Sequence, residues 1–146
     1  MLTSEGRTQP GGTHMTFVGT PSVDKQIAID AGETMFGKAG DDYLLGSFGN
    51  DVVYGGRDDD FVAGGDGFDI LYGGQGRDTF IADPATGGLD VFVDFNPKKD
   101  SIGIVGDFDS YGYDKHTGAV LVDGETVALT VKHMKFKAID FVDLYP

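Results

Sequence analysis

One apolar position recurs every nine residues between Gly37 and Ile81, through five units that follow one another without a gap. The units read GKAGDDYLL, GSFGNDVVY, GGRDDDFVA, GGDGFDILY and GGQGRDTFI. The eighth position is apolar throughout, and its occupants are Leu44, Val53, Val62, Leu71 and Phe80. Positions seven to nine are rich in aromatic and β-branched residues, which favour strands, and alternation points only the middle residue inward. The pattern predicts five short strands separated by six-residue turns.

The polar positions of the same units keep an equally fixed register. Position one is always Gly, and position six is always Asp, at Asp42, Asp51, Asp60, Asp69 and Asp78. Glycine permits close backbone approach and left-handed conformations, so such turns expose carbonyl oxygens beside a carboxylate. These hard oxygen donors suit Ca²⁺. The block holds no His, Cys or Met, which disfavours Zn²⁺, copper and Fe²⁺.

A six-residue turn followed by a three-residue strand winds the chain into a coil in which two units, 18 residues, make one full turn. Loops two units apart then stack on the same edge at about 4.8 Å, with room for metal between them. One edge would stack 37–42, 55–60 and 73–78, and the other would stack 46–51 and 64–69. Each adjacent pair of stacked loops is an expected calcium position.

The units resemble the glycine-rich nonapeptide G-G-x-G-x-D-x-U-x of the RTX (repeat-in-toxin) proteins. The resemblance implies an all-β fold, a right-handed parallel β-roll around about three to five Ca²⁺ ions. The chain departs from the family pattern at Lys38, Ser47, Asp58, Phe68 and Arg77. The charges of Lys38 and Arg77 are expected to weaken their sites, and the three aspartates at 58–60 to strengthen theirs.

The candidate metal ligands occupy positions one, three, five and six of each unit. They are Gly37, Ala39, Asp41, Asp42, Gly46, Phe48, Asn50, Asp51, Gly55, Arg57, Asp59, Asp60, Gly64, Asp66, Phe68, Asp69, Gly73, Gln75, Arg77 and Asp78. Two other readings fit less well. Solvated disorder does not explain five apolar residues in one phase, and an EF-hand loop fails because Val62 stands at its third ligand and the block has no Glu.

The segments on either side of the repeats are expected to complete one domain over 27–146. Residues 1–26 read as a polar leader or linker, and 28–36, AIDAGETMF, as a degenerate capping turn with Glu33 and Met35 at the acidic and apolar positions. Downstream, 82–146 predicts an antiparallel cap. Its expected strands are VFVDF (91–95), SIGIV (101–105), AVLV (119–122), TVALTV (126–131) and AIDFVDLY (138–145), with a hairpin turn at Asp123-Gly124.

Two downstream stretches extend the family resemblance. DPATGGLDVFVDFNPKKDSIGI is similar to the family's exit from its last repeat, which suggests that Asp90 helps close the last calcium site. Asp94 and Asp100 are equally well explained as solvated strand residues. The ending AIDFVDLYP resembles the acidic and hydrophobic tails of proteins exported by type I secretion.

Composition limits the possible partners. The chain has 146 residues, a formal net charge of −13 and a pI near 4.3, and its acidic residues are mostly Asp. Such acidity argues against nucleic acid and anionic membranes as partners, and favours folding coupled to calcium binding. There is no Cys, no apolar run long enough for a transmembrane helix, and no Sec-type leader in residues 1–26.

Catalysis is not expected. His14, His116 and His133 are scattered, common catalytic motifs are missing, and the carboxylates are more simply assigned to calcium than to a glycosidase pair. Lys132, His133, Lys135 and Lys137 form a basic patch, either a solvated strand face or a dock for an acidic partner. A free-standing enzyme is the least favoured reading.

Two functions remain. The first is a calcium-dependent folding and export module of a secreted or cell-surface bacterial protein, with the type I secretion apparatus as partner. The second is a structural or binding module for an extracellular polysaccharide or protein assembly. Aromatic residues would then stack on sugar rings, and the candidates are Tyr43, Tyr54, Phe61, Tyr72, Tyr111 and Tyr113.

Overall fold

The computed structural model describes residues 16–28, 32–107, 109–114, 116–130 and 141–143, and regular structure there is almost entirely β. The strands are β1 (Thr16–Val18), β2 (Lys25–Ile27), β3 (Thr34–Ala39), β4 (Tyr43–Leu45), β5 (Val52–Arg57), β6 (Phe61–Ala63), β7 (Ile70–Gln75), β8 (Thr79–Ala82), β9 (Asp90–Phe92), β10 (Ser101–Ile104), β11 (Tyr111–Asp114), β12 (Ala119–Val122), β13 (Glu125–Thr130) and β14 (Phe141–Asp143). A short 3-10 helix spans Pro84–Thr86. Among these residues, no helix is long and apolar enough to span a membrane.

Strands β1 to β10 alternate between two sheets and form a parallel β-roll, as the repeat predicts. One sheet runs β1-β3-β5-β7-β9-β13-β12-β11, and the other runs β14-β10-β8-β6-β4-β2. Within the repeats, paired residues lie 18 positions apart, as in Val53 with Leu71 and Leu44 with Val62. Two nonapeptides therefore form each turn, as expected.

The core lies between the two sheets and is built from the eighth position of each unit. Leu44, Val53, Val62, Leu71 and Phe80 are all fully buried. The row continues upstream to Met35 and downstream to Phe92 and Ile102. At roughly 1.5–3 kcal/mol for each fully buried large side chain, this row is the main apolar contribution to stability.

The roll begins earlier than expected, inside the segment interpreted as a polar leader. Strands β1 and β2 pair in parallel with β3 and β4, so at least residues 16–26 belong to the roll and that interpretation was wrong for them. Residues 19–27 form another nonapeptide, with Gly19 at position one and Asp24 at position six. Gln26 stands where the pattern requires an apolar residue, which hid this unit.

The roll also continues downstream of the repeats. Strands β9 and β10, expected in an antiparallel cap, instead pair in parallel with β7 and β8, at spacings of 21 and 22 residues in place of 18. The longer spacings accommodate the 3-10 helix before β9 and a turn over 96–99 before β10. The extra residues break the nonapeptide phase in sequence while the coil itself persists.

The antiparallel part of the structure is smaller than expected. Strands β11, β12 and β13 form an antiparallel meander, and β13 joins the roll in parallel with β9. The two-residue hairpin is confirmed, since Asp123 and Gly124 have φ values of 51° and 84°, as a type I′ turn requires. Strand β14 pairs with β10. His14 and the basic patch lie outside the described residues.

Candidate metal centre

The acidic residues at position six form two buried ladders along the edges of the roll. The Asp42 edge contains Asp24, Asp42, Asp60, Asp78 and Asp100, and the Asp51 edge contains Glu33, Asp51, Asp69 and Asp90. On each edge, the backbone N–H of one acidic residue donates to carboxylate Oδ1 of the next, for example Asp42 to Asp60 at 2.9 Å and Asp51 to Asp69 at 2.7 Å. The expected stacks of three and two loops are therefore extended at both ends.

The position-six residues differ in whether their second carboxylate oxygen, Oδ2, accepts a hydrogen bond. Oδ2 of Asp42, Asp60, Asp69 and Asp78 is buried and accepts no hydrogen bond. A buried carboxylate oxygen without a partner is costly, and a buried negative charge is more so. A proton or a cation bound at each of these four oxygens would therefore stabilise the folded chain.

Burial raises the pKa of these carboxyl groups. It raises the pKa of Asp42 to about 6 and that of Asp60 to about 7, because the charged form loses hydration. Burial, followed by the negative charge of Asp69, raises the pKa of Asp90 to about 8. Near neutral pH the calcium-free chain therefore keeps Asp90 mostly protonated and Asp60 partly so, whereas a divalent cation would favour the ionised forms.

The glycine at position one is required by space. A Cβ added to Gly37 would meet Oδ2 of Asp42 in its own loop and the carbonyl oxygen of Gly55 in the next loop. Gly55 stands in the same relation to Asp60 and Gly73. Because the side chain is absent, a carboxylate oxygen and a carbonyl oxygen from stacked loops converge beside the backbone. That is the donor combination that Ca²⁺ prefers.

Left-handed backbone recurs at positions two and four of the repeats, with Ser47 as the exception. Lys38 and Asp58 adopt it with φ values of 90° and 77°, although neither is glycine. These two departures from the repeat therefore keep its conformation, at a cost of about 1–2 kcal/mol each. Ser47 is outside the left-handed region, and its N–H turns inward to donate to Asp51 Oδ2 at 3.0 Å.

The Ser47 arrangement recurs at both ends of the Asp42 edge. Thr20 N–H donates to Asp24 Oδ2, and Asn96 N–H donates to Asp100 Oδ2. In these loops the carboxylate is satisfied by its own turn. In the loop pair 46–51 and 64–69 the first carboxylate, Asp51, is thus satisfied within its own loop, whereas Asp42 and Asp60 in the other pairs are not. The repeat pattern alone does not show this difference.

Residues at position five tie stacked loops together through their side chains. Asp41 Oδ1 accepts from the N–H of Asp59, and Asp59 Oδ1 accepts from that of Arg77. On the other edge, Asn50 Oδ1 accepts from the N–H of Phe68. These polar side chains therefore have a structural role that the sequence did not reveal.

Three position-three residues end the strands β3, β5 and β7, and the other two lie in an isolated bridge. Ala39 pairs with Arg57, and Arg57 with Gln75, while Phe48 forms an isolated bridge with Asp66. The exposed side chains of Phe48 and Phe68 have no oxygen, so these residues could contribute to a calcium site only through their backbone carbonyls. Within the described residues, no three acidic or histidine side chains converge as a metal cluster, and carbonyl oxygens must complete any ligand set.

The downstream aspartates occupy three different positions. Asp90 extends the Asp51 edge, where its Oδ1 accepts from the N–H of Asp69 at 3.4 Å, and its part in closing the last calcium site stays a prediction. Asp94 uses both oxygens to accept the N–H groups of Gly73 and Gly74, each at 2.9 Å. Asp100 is buried and extends the Asp42 edge, so neither Asp94 nor Asp100 is a simple solvated strand residue.

The residues present fit calcium. Buried carboxylate oxygens without a partner lie near the carbonyl oxygens of the stacked loops, and these donors are all oxygen. Bound Ca²⁺ would supply positive charge between the stacked loops and stabilise the ionised aspartates.

Comparison with protein families agrees with this geometry. Residues 28–62 and 54–84 match the model of the RTX calcium-binding nonapeptide repeat in four copies. A comparison with curated proteins finds no match to the chain. The matched residues, 28–84, include most of the stacked loops and ladder residues, so this part of the chain is similar to the RTX calcium-binding nonapeptide repeats.

Proposed function

We propose that the repeat block is a calcium-dependent folding module of a secreted bacterial protein. The observation that supports this most directly is the set of buried, unpartnered Oδ2 atoms on Asp42, Asp60 and Asp69. Each of these carboxyl groups is destabilising in the calcium-free roll, because it must either lose its charge or remain buried without a counter-ion. Calcium removes that penalty, so binding and folding are coupled.

The energy scale is adequate for a switch. A site at ten times its dissociation constant contributes RT ln 11, about 1.4 kcal/mol. Three such sites contribute about 4 kcal/mol, a large part of the stability of an ordinary domain. Extracellular calcium-binding modules typically bind at about 10⁻⁴–10⁻³ M, so the block would be unfolded in a calcium-poor cytosol and folded outside the cell.

Export is the second part of the proposal. A block that stays unfolded until it meets calcium suits passage through a type I secretion apparatus, and RTX repeats are typical of secreted bacterial proteins. The proposed location is extracellular or at the cell surface. No catalytic activity of the chain itself is included in the proposal.

The aromatic residues do not favour sugar stacking as the main function. Tyr54 is held between Phe36 and Tyr72, with ring centroids 4.8 and 4.5 Å away and nearly parallel planes. Tyr43 and Phe61 stack on each other at 5.5 Å. These rings cover one another's faces, which are the surfaces a sugar would need, so they act mainly as cross-strand contacts.

Circular dichroism of the chain in chelator, in about 5 mM CaCl₂ and in the same concentration of MgCl₂ tests the proposal. We expect a strong strand spectrum with a high-melting cooperative transition in calcium, and a weaker strand signal with a lower melting temperature in chelator and in magnesium. Magnesium is the matched control, since it prefers fewer ligands in a stricter octahedral geometry. Identical spectra and melting temperatures in calcium and chelator would contradict calcium-dependent folding.

A further inference from the structure

The last rung of the Asp42 edge already contains a cation. Lys99 Nζ lies 3.3 Å from Asp100 Oδ1 and 3.6 Å from Asp78 Oδ2, and it donates a hydrogen bond to the carbonyl oxygen of Gly74 at 3.0 Å. The side chains of Asp78 and Asp100 are buried, whereas that of Lys99 is about one-third exposed. One ammonium group therefore contacts two position-six carboxylates and a loop carbonyl.

The preceding rungs of the same edge offer a comparable set of oxygen atoms. At the preceding rungs, Asp42 and Asp60 present the same buried Oδ2 without a partner. Each is stacked on a loop whose carbonyls face the gap between rungs. At Asp78 the corresponding gap is occupied by an ammonium group, supplied by the residue just before the next acidic position.

We propose that the Lys99 ammonium takes the place of a calcium ion between loop 73–78 and the turn over 96–100, so that this end of the roll closes without metal. The inference rests on the proposed calcium-dependent folding of the repeats and deepens it. It predicts that calcium sites end with the pair 55–60 and 73–78 on this edge.

Asp94, which carries the opposite charge, contacts the same turn as Lys99. Its carboxylate accepts the N–H groups of Gly73 and Gly74, while Lys99 donates to the carbonyl oxygen of Gly74. The turn at Gly73-Gly74 is thus held from both sides by side chains from the following coil. The downstream end then keeps its structure at calcium concentrations too low for the repeats, and offers a folded edge on which they assemble.

Lys99→Ala tests this directly, because it removes the ammonium and leaves Asp78 Oδ2, Asp100 Oδ1 and the Gly74 carbonyl around an open position. Calcium stoichiometry is measured by native mass spectrometry and isothermal titration calorimetry up to about 10 mM CaCl₂. Lys98→Ala is the matched control, as its neighbouring side chain makes no ion pair among the described contacts. Lys99→Arg keeps the charge.

We expect Lys99→Ala to bind one more calcium ion per chain than the wild type, and Lys98→Ala and Lys99→Arg to bind the wild-type number. In chelator, Lys99→Ala should melt about 2–8 °C lower than Lys98→Ala, and calcium should remove that difference. If Lys99→Ala does not fold in chelator, the number of calcium ions that it binds in saturating calcium still tests the inference.

Two negative results have different meanings. If the wild type binds calcium and Lys99→Ala binds the same number of ions per chain, this inference alone is overturned. If the wild type binds no calcium, the proposed calcium-dependent function is overturned, and this inference with it.

Discussion

The repeat block and the coil that follows it share one backbone path but satisfy their buried carboxylates in different ways. In the repeats, Asp42, Asp60 and Asp69 each leave one buried oxygen without a partner. After residue 82, Asp94 is satisfied by two glycine N–H groups, and Asp100 by Asn96 and Lys99. We propose that an external cation closes the coil in the repeats and that the chain's own groups close it downstream, so that only the repeats respond to calcium.

The largest expected effect comes from the residue that joins the two regions. Phe80 is fully buried, and its ring lies 5.0 Å from that of Phe92 and 5.6 Å from that of Phe95. Phe80→Ala should lower the free energy of unfolding by about 3–5 kcal/mol in calcium, because it leaves a cavity between them. Urea unfolding measures it, with the exposed Phe48→Ala as control. A loss below about 1 kcal/mol would contradict a continuous core.

A glycine substitution should affect the two regions unequally. In Gly55→Ala the new methyl group would lie 2.7 Å from the carbonyl oxygen of Gly73 and against Asp60 Oδ2, so we expect a loss of about 1–3 kcal/mol and weaker calcium binding. Gly112→Ala in β11 meets nothing within 4 Å and should be neutral or slightly stabilising. Equal effects in thermal melts would show that position one carries no special constraint.

An isosteric change at position six should act in opposite directions with and without calcium. Asp60→Asn keeps an oxygen to accept the Asp42 N–H and removes a buried acid whose pKa is raised to about 7. Calcium affinity should fall about tenfold or more, roughly 1.4 kcal/mol, while the chelator form should melt no lower than the wild type. Calorimetry and thermal melts measure the two effects. An unchanged affinity would remove Asp60 from the ligand set.

The pH dependence should reverse when calcium is added. Because the pKa of Asp42 is raised to about 6 and that of Asp60 to about 7, the calcium-free fold binds protons that the unfolded chain releases. That stability is fully present below about pH 4, the pKa of an unfolded Asp, and is lost as the pH rises through 6 and 7. In calcium the ionised forms are favoured, so stability should rise over the same interval. Melting curves at several pH values measure both trends, and parallel trends would contradict this account.

Sequence reasoning predicted the core and the coil because Leu44, Val62 and the other position-eight residues obey a strict apolar rule. It missed the first unit because Gln26 breaks that rule, although parallel pairing to β4 keeps the strand in place. It misread β9 and β10 because short insertions shift their phase while leaving their pairing parallel.

The site was predicted at the level of residue type and less well at the level of individual loops. Position six identified the carboxylates, but which oxygens lack partners depends on local φ. Ser47 satisfies Asp51 because its backbone is not left-handed, and Lys38 keeps the left-handed form against its preference. Lys99 was also missed, because its role depends on reaching across to Asp78 in the previous turn.

Hydrogen exchange resolved by peptide mass spectrometry, in calcium and in chelator, tests the contrast between the two regions most directly. We predict that chelation removes most amide protection from residues 37–72 and less from 90–104 and 119–130. Equal protection of 37–72 in calcium and chelator, or an equally large loss in the downstream coil, would contradict the account.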